Sequence, residues 1–195
     1  AAFIKKLDPY HLVSVGSEGH TPVKAYSNTQ FAKVHELADI DYATFHIWVQ
    51  NWGWYDPKSP DLAKAQRKAI RYLRKHTRIA DKIGKPAVLE EFGIARDAND
   101  HDPLATTETR DAYFAHMFEE VHKQASKGHA LAGCNFWAWG GKGRPSEPHA
   151  IWQKGDDFIG DPPHEHQGWY SVYDQDTSTH KVIQHWTTKM NQLQN

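Results

Sequence analysis

The chain has 195 residues, with 23 Lys plus Arg against 24 Asp plus Glu, 12% aromatic residues and a single cysteine, Cys134. The near-zero net charge excludes the basic excess that a nucleic-acid or polybasic membrane-surface protein carries to meet phosphates, and no apolar run is long enough to cross a bilayer. One cysteine rules out an internal disulfide and any multi-cysteine zinc site, while the length suits one sizeable core.

In chain order, "AAFIKKL" reads as the last turns of a helix that stops at Asp8-Pro9, because a residue before proline is pushed out of the helical region. It lacks the basic start and apolar core of a signal peptide. "HLVSV" (11–15) reads as a short strand, and "TQFAKVHELA" as a short helix with Phe31, Val34, Leu37 and Ala38 on one face. "DYATFHIWV" (41–49) is a second strand. Ser59-Pro60-Asp61 then opens a long helix, with Ser59 as cap, and Leu62, Ala65, Ala69, Ile70, Leu73, Ala80 and Ile83 form its buried stripe up to Gly84. "KPAVLEEFG" is a third strand. Tyr113, Phe114, Met117, Phe118, Val121 and Ala125 mark a helix that Gly128 stops. "ALAGCNFWAW" (130–139) is a fourth strand, and after a long polar loop Val182, Ile183, Trp186, Met190 and Leu193 line a final helix.

Strands alternating with helices imply right-handed crossovers and a parallel sheet. Such sheets carry their sites in the loops at the C-terminal strand ends. A doubly wound open sheet fits the same alternation, but no G-x-G-x-x-G or Walker loop is present. Four units make half of an eight-stranded barrel, and the half barrel is the preferred reading.

The side chains at the strand ends are of one kind. Glu18 lies in "GSEGH" after the first strand. In the second, alternation puts His46, Trp48 and Gln50 on one side, close to Trp52 and Trp54. The third ends in Glu90-Glu91, which strict alternation turns to opposite faces, so that one of them enters the barrel mouth. The fourth ends in Trp137 and Trp139. "HEH" (164–166) has metal-ligand residue types but no third distant ligand, and the other histidines call for no special account. A carboxylate, a histidine and tryptophans at successive strand ends point to glycoside hydrolysis. A retaining glycosidase uses a nucleophilic carboxylate and an acid/base carboxyl roughly 5 Å apart, with an oxocarbenium-like transition state between them. No G-x-S-x-G elbow competes.

The blocks "VGSEG", "DYATFHIWVQNW", "KPAVLEEFG", "GCNFWAWGG" and "GWYSVYDQDTST" together resemble the endo-β-1,4-mannanases of glycoside hydrolase family 5, most closely subfamily 7. The resemblance runs through residues 1–195, in order, and matches the C-terminal half of such enzymes. It implies a (β/α)8 TIM barrel of which this chain supplies about the last four βα units, as part of one catalytic domain. It implies a retaining mechanism on β-mannan with Glu91 as nucleophile, His46 positioning the nucleophile or substrate, and Trp137 as the platform under the sugar at the cleavage point. Glu90 would face the barrel wall. Trp48 stands where the family usually has tyrosine, so no phenolic hydroxyl is available there. Glu18, Trp52, Trp54, Trp139 and Trp169 are expected to line the substrate further out.

The family's acid/base glutamate follows an asparagine in an Asn-Glu-Pro block, and no such block occurs here. The expectation is therefore a fragment that is inactive alone and whose partner is the N-terminal half of the barrel, with no cofactor, metal, nucleic acid or membrane insertion. The resemblance implies a secreted, periplasmic or cell-envelope enzyme. Another family 5 glycanase acting on glucan or glucomannan, and a non-catalytic carbohydrate-binding protein, fit many of the same residues.

Overall fold

The computed structural model describes residues 1–22 and 29–194. The chain forms two compact units, one of Ala1–Ile47, Lys68–Phe92 and Glu120–Asn135, the other of Trp48–Arg67, Gly93–Glu119 and Phe136–Asn195. Among the described residues no helix is long and apolar enough to cross a membrane.

The first unit is built on a parallel sheet ordered β1 (Ala43–Ile47), β2 (Ala87–Phe92), β3 (Leu131–Cys134). All five β1 residues are buried, as expected of a parallel strand covered on both faces. Phe45 and Leu89 are completely buried in this sheet, as are Phe31 of the short helix α2 (Phe31–His35) and Leu73. The long helix α3 (Leu62–Ile83) carries Leu73 and buries the expected Ala65, Ala69, Ile70 and Ala80. Gly84, at φ +66°, ends it in the left-handed conformation that glycine adopts without strain. Helix α1 (Ala2–Leu7) ends at Asp8 in extended backbone, as the following proline requires.

Three expectations need correction here. Residues 11–15 form no strand. Val13 exchanges two bonds with Asp41, donating to its carboxylate (2.6 Å) and accepting from its backbone N–H (2.8 Å). Ser14 Oγ donates to the Tyr42 carbonyl and Ser17 N–H to Thr44 Oγ1. Side chains thus replace the backbone partners a ladder needs. The helix expected over 29–38 is confined to Phe31–His35, and Leu37 is exposed. The cap of α3 is Asp61, whose carboxylate accepts the Lys64 N–H at 2.8 Å, rather than Ser59. Asp61 sits directly before the first helical residue, where a side-chain acceptor meets a free N–H of the first turn.

In the second unit β4 (Trp139–Gly141) pairs in parallel with β5 (Val172–Tyr173), so the strand expected over 130–139 is interrupted after Cys134. Helix α4 (Glu108–Ser126) buries Tyr113, Phe114 and Met117. In α5 (Thr177–Asn191) only Thr179 is fully buried, and the expected stripe is half-covered, with Leu193 exposed beyond the helix.

A buried charge cluster organises this unit. Asp176, directly before α5, accepts the Tyr173 N–H at 2.8 Å and Arg96 Nη2 at 2.7 Å, with Arg110 Nη1 at 3.4 Å. Both arginine side chains are essentially inaccessible. Arg110 also donates to the Ser171 carbonyl at 2.8 Å. Burial, and then the neighbouring Arg96 charge, push its guanidinium down to about 10 against the pull of Asp176. Removing Asp176 would take away the carboxylate that pairs with both buried cations. Asp176→Asn is expected to cost about 3–5 kcal/mol in urea unfolding; a loss below about 1 kcal/mol would show that the cluster is open to water.

Candidate functional site

At the C-terminal end of β1 and β2 the pairing carries an irregularity. Phe45 pairs with Leu89, and the next residue, His46, pairs with Glu91. Glu90 is the extra residue of a bulge, and a bulge re-aims the side chains around it. The two glutamates therefore do not follow the strict alternation read from the sequence. Glu91 Oε2 lies 3.1 Å from His46 Nδ1, and Glu90 Oε2 lies 3.4 Å from His46 Nε2. Glu90 meets the same imidazole as Glu91 instead of turning away from it. The His46 side chain is 9% exposed, and both glutamates keep about a quarter of their surface in solvent. One buried ring thus sits between two carboxylates that remain accessible to a ligand.

The loop bearing Glu18 is fastened to this pair of strands through its backbone. The Glu18 carbonyl accepts the Tyr72 hydroxyl at 2.7 Å and the His46 N–H at 3.3 Å. Gly19 follows at φ +81°, and a Cβ there would stand 2.6 Å from His76 Nε2. No other residue fits that turn. The half-buried Glu18 side chain is held by its position rather than by this bonding.

Beneath the loop lie histidines that the sequence reading left without a role. His76 is completely buried. Its Nδ1 donates to the Tyr72 carbonyl at 2.9 Å, so Nε2 is the acceptor for the His20 N–H at 3.0 Å. His35 works in the same way, donating from Nδ1 to the Phe31 carbonyl and accepting the Thr44 N–H at Nε2. Burial pushes His76 down to about 3 and also lowers His35 and His20. The signal was present in the spacing: His76 continues the buried stripe of Ala69, Leu73 and Ala80.

The second unit gathers the aromatic side chains. Trp48 meets Trp137 edge-on, with ring centroids 6.2 Å apart, and Tyr170 at 5.1 Å. Trp52 and Trp54 form a second edge-on pair at 5.0 Å. Trp169 stacks on Tyr170 at 4.8 Å and its indole N–H donates to Asn99 Oδ1, which also accepts the Gln50 side-chain amide. The Tyr170 hydroxyl donates to Asn51. Gly93 permits this crowding, since a Cβ there would come within 2.7 Å of the Trp137 carbonyl oxygen. Trp139 stands apart, 57% exposed and against His180 of α5. Tyr170, Asn51 and Asn99 were not singled out from the sequence, although Asn51 and Tyr170 adjoin residues that were.

The "HEH" stretch places His166 with its Nδ1 2.6 Å from the His149 carbonyl oxygen, and His149 stacks on His101 at 3.9 Å. Stacked rings do not converge on one point, and among the described residues no three His, Cys, Asp or Glu side chains do so. Carboxylates flanking an imidazole, and indole faces beside amide and hydroxyl groups, suit acid, base or nucleophilic chemistry and the stacking of sugar rings.

A family profile described as "GH family 5 beta-mannosidase-like" matches residues 1–195. The "Mannan endo-1,4-beta-mannosidase F" of Aspergillus clavatus is 30% identical over 140 residues, 66% of this chain and 30% of that protein. The "Putative mannan endo-1,4-beta-mannosidase 4" of Arabidopsis thaliana is 31% identical over 151 residues, 70% of this chain and 35% of that protein. Among solved structures, a glycoside hydrolase family 5 mannosidase from Rhizomucor miehei is 38% identical with a TM-score of 0.86, covering 99% of this chain and 46% of its own. A variant of that enzyme has been crystallised with mannosyl-fructose. An endo-β-1,4-mannanase from Thermotoga petrophila, 23% identical with a TM-score of 0.66 over 97% of this chain and 38% of its own, shares the fold. The chain thus spans about a third of the length of these curated relatives. Its parallel α/β architecture is part of the (β/α)8 barrel of these enzymes.

The neutral, buried His76 makes stability depend on pH. An unfolded histidine takes its proton near 6.5 whereas folded His76 does so only at about 3, so within that window the unfolded state binds more protons. Stability is complete above pH 6.5 and is lost as the pH falls towards 3, at up to about 1.4 kcal/mol per pH unit for this one group. Urea unfolding at pH 7 and pH 5 is expected to show a shallower loss in His76→Gln than in the parent; equal losses would mean that His76 is not the proton acceptor.

Proposed function

The chain belongs to the glycoside hydrolase family 5 β-mannosidase-like family, and from that premise we propose that the protein containing it hydrolyses β-1,4-linked mannose polymers and oligomers with retention of configuration. The observation that carries this reading is the placement of the Glu91 carboxylate 3.1 Å from the half-caged His46 at the end of a parallel strand.

In the proposed mechanism Glu91 attacks the anomeric carbon as the bond to the leaving oxygen breaks. A glutamate outside these 195 residues donates the proton to that oxygen. The resulting glycosyl ester on Glu91 is then hydrolysed, when the same outside glutamate takes a proton from water and the carboxylate of Glu91 is released. His46 holds Glu91 in position. Trp137 serves as the platform for the reacting sugar, with Trp48 bracing it. Glu18, Trp52, Trp139 and Trp169 contact sugars further along. Both chemical steps run on carboxyl groups alone, so the proposed reaction uses no metal or cofactor. The family resemblance alone supports a secreted, periplasmic or cell-envelope location.

The sequence resemblance favours internal cleavage, as do the curated relatives named for endo-acting enzymes. A second reading, release of single mannose units from a chain end, is favoured by the mannosidase from Rhizomucor miehei, which stands at 38% identity against 23% for the Thermotoga mannanase. Products from mannohexaose, with cellohexaose as the comparison, separate these. Internal cleavage gives mixed short oligomers from the first minutes. Chain-end cleavage gives mannose and mannopentaose first, and faster turnover of cellohexaose would remove mannan as the substrate.

Glu91→Ala in the full-length protein is expected to lower kcat by about 10⁴-fold or more while mannan binding persists. With an aryl β-mannoside, azide should restore turnover and give the α-mannosyl azide, because the small anion replaces the missing carboxylate on the same face. Turnover within tenfold of the parent would remove Glu91 as nucleophile.

A further inference from the structure

Glu90 has no part in the mechanism just described, yet it is the residue that the bulge brings to His46. We propose that Glu90 is a positioning residue, whose carboxylate takes the Nε2 side of His46 and so fixes the ring with Nδ1 turned to Glu91. The proposal deepens the reading of Glu91 as nucleophile and rests on that reading for its kinetic consequence only.

An imidazole ring has a broad, roughly two-fold torsional preference, so packing alone does not fix which edge presents its nitrogens. With Glu90 Oε2 hydrogen-bonded to Nε2 at 3.4 Å, the ring is held with Nδ1 on the Glu91 side, 3.1 Å from Glu91 Oε2 without forming a hydrogen bond to it. A half-turn of the ring would present C–H groups to both. The backbone supports the arrangement, because the His46 N–H is bound by the Glu18 carbonyl and the bulge pins Glu90 in register.

The surrounding titratable groups are few. Glu90 and Glu91 face His46 from β2. His35 lies on α2, where the Glu90 charge opposes the effect of burial on its ring. Glu18 reaches His46 through its backbone, and Tyr72 and His76 of α3 lie behind that loop. Glu90 therefore contributes the second of two carboxylates touching the ring, and its replacement should be felt at His46 first.

The test uses the full-length protein with Glu90→Gln and Glu90→Asp, each checked for a parental melting temperature. Imidazole nitrogen NMR at pH 7 reads the hydrogen bonding of the His46 ring directly, and kcat and KM on an aryl β-mannoside read its effect on the reaction. In Glu90→Gln, which lacks the anionic acceptor, the His46 Nε2 resonance should shift and kcat should fall about tenfold with KM little changed, and Glu90→Asp should restore most of both. An unmoved Nε2 resonance in Glu90→Gln would overturn the proposal. A moved resonance with an unchanged kcat would uphold the positioning of His46 and count against Glu91 as the group that it serves.

Discussion

A single extra residue between two parallel strands sets the chemistry of the first unit. Had β1 and β2 continued in the register of Phe45 with Leu89, His46 would pair with Glu90, and Glu91 would point to the opposite face. The bulge advances β2 by one residue, so His46 pairs with Glu91 while Glu90 remains beside the ring. Two adjacent glutamates therefore converge on one imidazole, an arrangement that regular pleating forbids. The buried residues on both strands hold the irregularity in place, since a slip in register would carry Phe45, Ile47 and Leu89 out of the core.

Each unit secures its functional side chains with buried polar groups rather than with apolar packing alone. In the first, neutral histidines bond the Glu18 loop to α3, using Nε2 of His76 as an acceptor. In the second, Asp176 binds two buried arginines and a backbone N–H, and Asp161 accepts the N–H groups of Gly168 and Tyr170 together with the Ser171 hydroxyl. Such networks cost desolvation and repay it only when their members are satisfied in one geometry. That requirement keeps loops fixed where aromatic and acidic side chains must stay accessible.

Much of this was legible in the sequence, because hydrophobic period and helix punctuation report burial directly. The long helix, the strands around Phe45 and Leu89, and the placement of His46 and Glu91 at strand ends all follow from those signals. What escaped depended on exceptions to period or on partners far along the chain. The alternation rule cannot register the extra residue at Glu90. His76 has the helical spacing of a core residue but the chemistry of a surface one, and its partner His20 is distant in sequence. Residues 11–15 have strand composition, but Val13 bonds to both the carboxylate and the backbone N–H of Asp41 and Ser14 Oγ to the Tyr42 carbonyl, with no ladder between them. Trp137 and Trp139 looked equivalent by alternation, yet the strand breaks between them and Trp139 packs against His180.

The account turns on which carboxylate forms the covalent bond to the sugar. A 2-deoxy-2-fluoro-β-mannosyl fluoride slows the second step of a retaining enzyme and traps the glycosyl ester, whose position peptide mass spectrometry then reads. The account predicts one label per molecule of the full-length protein, on Glu91. A label on Glu90 or Glu18, or hydrolysis that releases the inverted anomer with no label at all, would contradict it.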